Sequence, residues 1–252
     1  MNFKEFIRRT MFYLTVPKCV GCGERLKINE MAICSSCMKS HIELKTRDCS
    51  RCFNTYDKCA CSNKFLKQHK VNRVIKIFRY IKQEEGSPSN NLIYTLKRNN
   101  RRDVVDFLSD ELVKSIKFSL PNFKDFIITN VPRRPSAIIK YGYDHAAVLA
   151  KAIARKLGIE YKSLLKSKTK SAQKKLTYTE RHNNARVVPK GRFDLKGKRI
   201  IILDDVVTTG SSLSSVADAL KRLGVKEFVG ASISVAYKDE YTPFPKSEYV
   251  YW

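Results

Sequence analysis

The fold is decided by the stretch Arg199-Ile-Ile-Ile-Leu-Asp-Asp-Val-Val-Thr-Thr-Gly-Ser-Ser-Leu213. Ile200 to Leu203 is an aliphatic run without polar alternation, the pattern of a strand buried on both faces of a parallel sheet. Two carboxylates, Asp204 and Asp205, follow at once. After Val206 and Val207 comes Thr208-Thr209-Gly210-Ser211-Ser212, small hydroxyl residues around a glycine. Leu213, Val216, Ala217, Leu220 and Leu223 then return at helical spacing, with Gly224 placed to end the helix. Strand, acidic pair, small loop and helix start make a phosphate-site layout. Free backbone N–H groups and the positive end of the helix dipole face an anion, and the hydroxyls add donors. Two carboxylates beside a phosphate would repel it unless the ligand also offers sugar hydroxyls, or a divalent cation bridges the charges. A sugar phosphate with free vicinal hydroxyls meets both conditions.

This order of residues resembles the phosphoribosyl-pyrophosphate (PRPP) motif of type I phosphoribosyltransferases. The resemblance implies an α/β fold in which a parallel sheet is flanked by helices. It also implies that Asp204 and Asp205, the catalytic pair, hold the ribose hydroxyls directly or through Mg²⁺. Val207, Thr208, Thr209, Gly210, Ser211 and Ser212 would wrap the 5′-phosphate.

A chain of 252 residues is long enough for a mid-sized α/β domain plus a small appendage. With 43% hydrophobic and 29% charged residues it has the composition of a soluble globular protein. No run approaches the roughly 18 apolar residues of a membrane span. Met1 to Pro17 mixes Phe and Ile with Lys4, Arg8 and Arg9, its apolar part is short, and no small-residue cleavage site follows. Residues 1–16 are therefore expected to form a docking helix in a cytoplasmic protein. The net charge of +25 attracts polyanions, nucleic acid among them.

All eight cysteines lie between residues 19 and 61, as Cys19-x2-Cys22, Cys34-x2-Cys37, Cys49-x2-Cys52 and Cys59-x-Cys61. Paired thiolates on tight turns, here helped by Gly21 and Gly23, suit tetrahedral Zn²⁺. Four pairs form two Cys₄ sites in three ways, and sequential pairing closes the shortest loops. One or two structural zinc ions are expected in a zinc ribbon over residues 17–65, which is too short and too poor in apolar residues to fold well without metal. Disulfides would need an oxidising compartment, and the spacing matches no common iron–sulfur pattern.

Between the cysteines and the acidic strand, Ser62 to Lys70 reads as a polar linker and Val71 to Tyr80 as a strand. Lys82 to Asn91 reads as a loop, broken by Gly86 and Pro88. Helices are expected over Asn91–Lys97, Asp103–Phe118 and Asp144–Leu157, the last closed by Gly158. Phe126 to Val131 is a second buried strand. It leads into Pro132-Arg133-Arg134-Pro135 and an irregular stretch to Gly142. Two arginines at the carboxyl end of a strand stand where open α/β sheets bind ligand, and their forks suit pyrophosphate oxygens. Residues 161–199 carry thirteen Lys/Arg against two acids, with weak apolar periodicity. They read as a long basic loop, fitted to be a lid over pyrophosphate or a grip on a nucleic-acid backbone through Lys168, Lys170, Gln173, Lys174, Lys175, Arg181 and Asn184. Six aromatics among lysines close the chain from Tyr237 to Trp252. They serve either as base-stacking platforms or as the last strand and its cover.

Cysteine module, Val131-Pro132-Arg133-Arg134, a basic stretch with Thr169, Gln173, Leu176, Glu180, Arg181 and Asn184, and Leu203-Asp204-Asp205-Val206-Val207-Thr208-Thr209-Gly210-Ser211-Ser212 occur in one order. That order resembles the ComF family of late competence proteins over nearly the whole chain, and Leu96-Lys97 matches a further family feature. The resemblance implies a double zinc ribbon, a phosphoribosyltransferase domain over residues 70–252, PRPP as ligand, and single-stranded DNA as a partner in natural transformation. DNA-uptake helicase or channel proteins would be further partners, reached from the cytoplasm or the periphery of the inner membrane. One departure stands out: where the family has Arg-Gly-Phe-Asn-Gln, this chain has Tyr141-Gly142-Tyr143-Asp144-His145. His145 either replaces the Gln as a hydrogen-bonding group or stands exposed at the helix start, and exposure is the expectation. An active enzyme of nucleotide salvage or synthesis is the alternative role.

Overall fold

The computed structural model describes residues 17–80, 86–99, 101–168 and 186–236. The expected docking helix, residues 169–185 of the basic stretch and the aromatic residues from Tyr237 onward lie outside them.

In chain order the elements are α1 (Ser35–Lys45), α2 (Lys64–Gln68), β1 (Val74–Arg79), α3 (Pro88–Arg98), α4 (Arg102–Ser119), β2 (Phe126–Asn130), α5 (Pro135–Tyr141) and α6 (His145–Leu157). They continue with β3 (Leu165–Lys168), β4 (Arg186–Pro189), β5 (Arg199–Val207), α7 (Ser211–Lys221) and β6 (Glu227–Val235). Four strands form one sheet in the order β1-β6-β5-β2, every pair parallel. The expected α/β architecture is present, with β5 at its centre. Ile200 to Leu203 are fully buried. Their side chains alternate between two clusters: Ile201 and Leu203 meet α4 and α6 residues such as Leu108, Leu112 and Leu149, whereas Ile200 and Ile202 meet Leu213, Val216 and Leu220 of α7. Both faces need apolar residues, which is why the sequence shows no alternation.

Several expectations are corrected. Asp204 and Asp205 lie within β5, which runs two residues beyond them, rather than after it. Pro88 starts a helix instead of breaking the chain. Ser87 caps α3 by accepting from the Asn90 N–H, and Pro at the first turn sacrifices no hydrogen bond. The stretch after Arg134 is helical, for the same reason at Pro135, and ends on Gly142 at φ 78°. The basic stretch is not a loop throughout: β3 and β4 pair antiparallel, and Leu164, Leu165 and Leu195 are buried beside them. Nor is Ser62–Lys70 a linker. Asn63 caps α2, Leu66 is fully buried and Phe65 packs beside it, so two apolar residues in a polar context dock the segment.

The cysteine-rich segment packs against the sheet layer. Cys19, Leu26, Ile33, Cys37 and Leu44 share a buried cluster with Ile75, Phe78, Leu92 and Leu108. Polar ties reinforce the contact: His41 Nδ1 lies 2.8 Å from Ser89 Oγ, Lys45 pairs with Glu111, and Arg101 donates to the Lys18 carbonyl at 3.0 Å.

Candidate functional site

The carboxyl ends of β5 and β2 converge on a cavity of about 290 Å³ lined by Lys97, Arg133, Asp144, His145, Asp204 and Asp205, among others. A larger hollow of about 410 Å³ lies at the amino ends of β1 and β6, around Arg73 and Glu227. Open parallel sheets bind ligands at the carboxyl ends of their strands, so the smaller cavity is the candidate.

Asp205 is nearly buried and both its oxygens are met by its own chain. Lys97 Nζ stands 3.1 Å and His145 Nε2 2.7 Å from its Oδ2, while Oδ1 accepts from the Val206 N–H at 2.7 Å. Burial opposes its ionisation, but the His145 hydrogen bond and the charge of Lys97 outweigh burial and hold its carboxyl below the usual carboxylate range. Asp204 is in the opposite state. Burial first, and then the charge of Asp205, push its carboxyl well above the ordinary value. Asp204 accepts the Asp205 N–H at 2.9 Å.

His145, expected to be exposed, is buried at 7%. Asp144 caps α6 through the Ala147 N–H, and the turn this sets swings the next side chain inward onto Asp205. Asn130 Nδ2 lies 3.3 Å from Asp144 Oδ2, fixing that turn to the end of β2. Tyr143 donates to the Leu96 carbonyl, so the turn also rests on the end of α3 that carries Lys97. Arg133 lines the cavity, donating to the Tyr143 carbonyl at 3.1 Å and stacking 4.7 Å over Tyr141. Arg134 is exposed and is not among the cavity residues. The sequence signal for Lys97 was its place after Leu96; nothing in the local pattern marked it as a partner of Asp205.

Thr208 to Ser212 follow at the same end of β5. Gly210, at φ 93°, occupies the cap position of α7, and no side chain caps that helix. By contrast, Asn63, Ser87 and Asp144 cap α2, α3 and α6. The Ser211 N–H reaches only Thr209 Oγ1, at 3.3 Å. Thr208, Thr209 and Ser212 are exposed. An uncapped helix start with no acidic residue in its first turn is suited to an anion. Mg²⁺ suits the carboxylate oxygens of Asp204; Asp205 already has the Lys97 ammonium. Lys168 ends β3, and Lys170, Gln173, Lys174, Lys175, Arg181 and Asn184 lie outside the described residues.

The cysteines gather into two quartets, Cys19/Cys22/Cys34/Cys37 and Cys49/Cys52/Cys59/Cys61, with the sulfurs of each within 4.8 Å of one another. This is the sequential grouping. A Zn–S bond of about 2.3 Å places tetrahedral sulfurs about 3.8 Å apart, so the donor sets fit zinc. Cys34 N–H and Cys61 N–H point at Cys19 Sγ and Cys59 Sγ, at 3.2 and 3.3 Å. Gly21 leaves room for the first quartet, since a Cβ there would sit 2.6 Å from Cys37 Sγ. No cysteine is in a disulfide.

Residues 144–251 match the model of the phosphoribosyl transferase domain. The chain is 26% identical to the DNA utilization protein YhgH of Escherichia coli (strain K12), over 84% of this chain and 94% of that protein. It is also 26% identical to Competence protein F of Haemophilus influenzae, over 83% and 93%. Identity to Competence protein ComFC of Streptococcus pneumoniae is 22%, over 83% and 96%. Among the described residues no helix is long and apolar enough to cross a membrane. The chain is thus similar to the ComF and YhgH proteins along most of its length, with a cysteine-rich segment before a stretch that matches the phosphoribosyl transferase domain.

Proposed function

We propose that this protein binds PRPP at the carboxyl end of β5 and assists the handling of single-stranded DNA during natural transformation. The observation that carries the reading is the pairing, within one matched domain, of an acidic strand end with an uncapped, hydroxyl-rich helix start. In this reading Thr208 to Ser212 receive the 5′-phosphate through backbone N–H groups and hydroxyls. Asp204 faces the ribose hydroxyls, and Asp205 keeps Lys97 and His145 in place beside it. Arg133 meets the pyrophosphate, joined by Arg134 and a lysine of the basic stretch after closure. Mg²⁺, when bound, would offset the pyrophosphate charge and polarise its oxygens. Departure of pyrophosphate from an oxocarbenium-like ribose would draw on the same cations. The two cysteine quartets hold zinc as structural sites, and the division into a ribbon at 17–65 and a phosphoribosyltransferase-like domain at 70–252 follows from them.

The DNA role is supported by the net charge of +25 and by relatives named for competence and DNA utilization. DNA-uptake helicase or channel proteins are the proposed protein partners, met in the cytoplasm or at the inner face of the membrane. The domain match favours a second reading, an active phosphoribosyltransferase of nucleotide salvage or synthesis. Binding assays on the purified, zinc-loaded protein separate them. In an Asp204→Ala/Asp205→Ala variant, PRPP binding should vanish while salt-sensitive single-strand binding persists. Steady pyrophosphate release with a free base would instead favour the enzyme. Failure to bind either PRPP or DNA would overturn both.

A further inference from the structure

The segment from Ser62 to Lys70 touches the phosphate loop at two points and the helix after it at a third. Asn63 divides its side chain between two tasks: Oδ1 accepts the Leu66 N–H at 2.8 Å and so caps α2, while Nδ2 donates to the Thr209 carbonyl at 3.0 Å. Leu66, fully buried, lies directly against Gly210; a Cβ on that glycine would fall 2.6 Å from Leu66 Cγ. His69 Nδ1 stands 2.8 Å from Asp218 Oδ2, tying the end of α2 to the middle of α7. Cys61, the last cysteine of the second quartet, is two residues before Asn63, and its carbonyl accepts from the buried Lys76 at 2.8 Å.

The Asn63 contact has a consequence for the loop. In a trans peptide the C=O and the following N–H point in opposite directions. Holding the Thr209 carbonyl toward α2 therefore turns the Gly210 N–H away from it. Leu66 blocks the loop from collapsing back onto α2. Both contacts act on the two residues that open α7, where the helix has no side-chain cap.

We propose that Asn63 and Leu66 are positioning residues for the 5′-phosphate end of the site, placed there by the cysteine-rich side of the chain. The inference rests on the PRPP reading and adds to it. The loop that receives the phosphate is held from outside the matched domain, which begins at residue 144. The acidic cavity, by contrast, receives nothing from this segment.

The test compares the full-length, zinc-loaded protein with Asn63→Ser and Asn63→Asp, since Ser and Asp both cap helices well but neither can donate to the Thr209 carbonyl as the amide does. Three probes are titrated with Mg²⁺ present: ribose 5-phosphate, PRPP and pyrophosphate. Asn63→Ser should weaken ribose 5-phosphate and PRPP alike by about fivefold, the worth of one hydrogen bond. Asn63→Asp, which sets a negative charge against a carbonyl and near a phosphate, should weaken them by tenfold or more. Pyrophosphate affinity and zinc content should not move, and Tm should fall only by the few degrees that one lost hydrogen bond costs. Ribose 5-phosphate binding at the wild-type level in both variants would overturn the proposal. So would a parallel fall in all three affinities or a loss of zinc, either of which marks a merely structural residue. If the wild-type protein binds neither ribose 5-phosphate nor PRPP, the PRPP reading itself fails, and the inference with it.

Discussion

The two halves of the site, at one end of one strand, are built on opposite principles. Around Asp205 the chain supplies its own partners, the Lys97 ammonium at 3.1 Å and the His145 ring nitrogen at 2.7 Å, so the carboxylate is stabilised before any ligand arrives. Around Gly210 the chain withholds a cap, and α7 opens on exposed hydroxyls. Asp204 sits between them, where burial and the neighbouring carboxylate disfavour its ionisation. One half is a completed electrostatic network, and the other is an incomplete one that a phosphate would complete.

The sharpest way to break this contrast is at Gly210. Gly210→Ala combines an unfavourable positive φ with a Cβ against Leu66. It should lower stability by about 2 kcal/mol or more and weaken ribose 5-phosphate by well over tenfold, read by urea unfolding and calorimetry. Asp205→Asn is next. It removes the charge that the Lys97 ammonium and the His145 hydrogen bond share and should cost about 2 kcal/mol at neutral pH. The pH dependence carries a definite sign. Because the folded Asp205 carboxyl lies below its unfolded value, its contribution is present above the usual carboxylate range and is lost as pH falls through the folded value. Unfolding curves from pH 7 to pH 3 should therefore be flatter on the acid side in Asp205→Asn than in the wild type. Asp204→Asn should show the smallest effect on stability, and of opposite sign. Its carboxyl is raised by burial and by Asp205, so ionisation costs stability as pH rises above the usual range. The variant should gain about 1 kcal/mol without ligand at neutral pH while losing about tenfold in PRPP affinity.

The open half was legible in the sequence because it is contiguous: strand, acidic pair, loop and helix occupy residues 199–213 and were read from apolar spacing and small residues alone. The cysteine quartets were legible for the same reason. The completed half was not, because its members come from α3, the β2–α5 loop, α6 and β5, and only the fold brings them together. His145 was misread since local pattern cannot distinguish an exposed helix-start residue from one that the Asp144 cap turns inward. Ser62–Lys70 was misread as a linker because its single large aliphatic anchor, Leu66, carries no periodicity. Burial there is imposed by the partner surface of α7 and β5 rather than by the segment itself. Pro88 reads as a break in sequence and the stretch after Pro135 as irregular, although proline is equally at home in a first helical turn.

The most direct test of the account is titration of the zinc-loaded protein with PRPP, with and without Mg²⁺, beside Asp204→Asn. The account predicts saturable one-to-one binding that Mg²⁺ strengthens in the wild type and much less in the variant. Absence of PRPP binding in the wild-type protein under both conditions would contradict it.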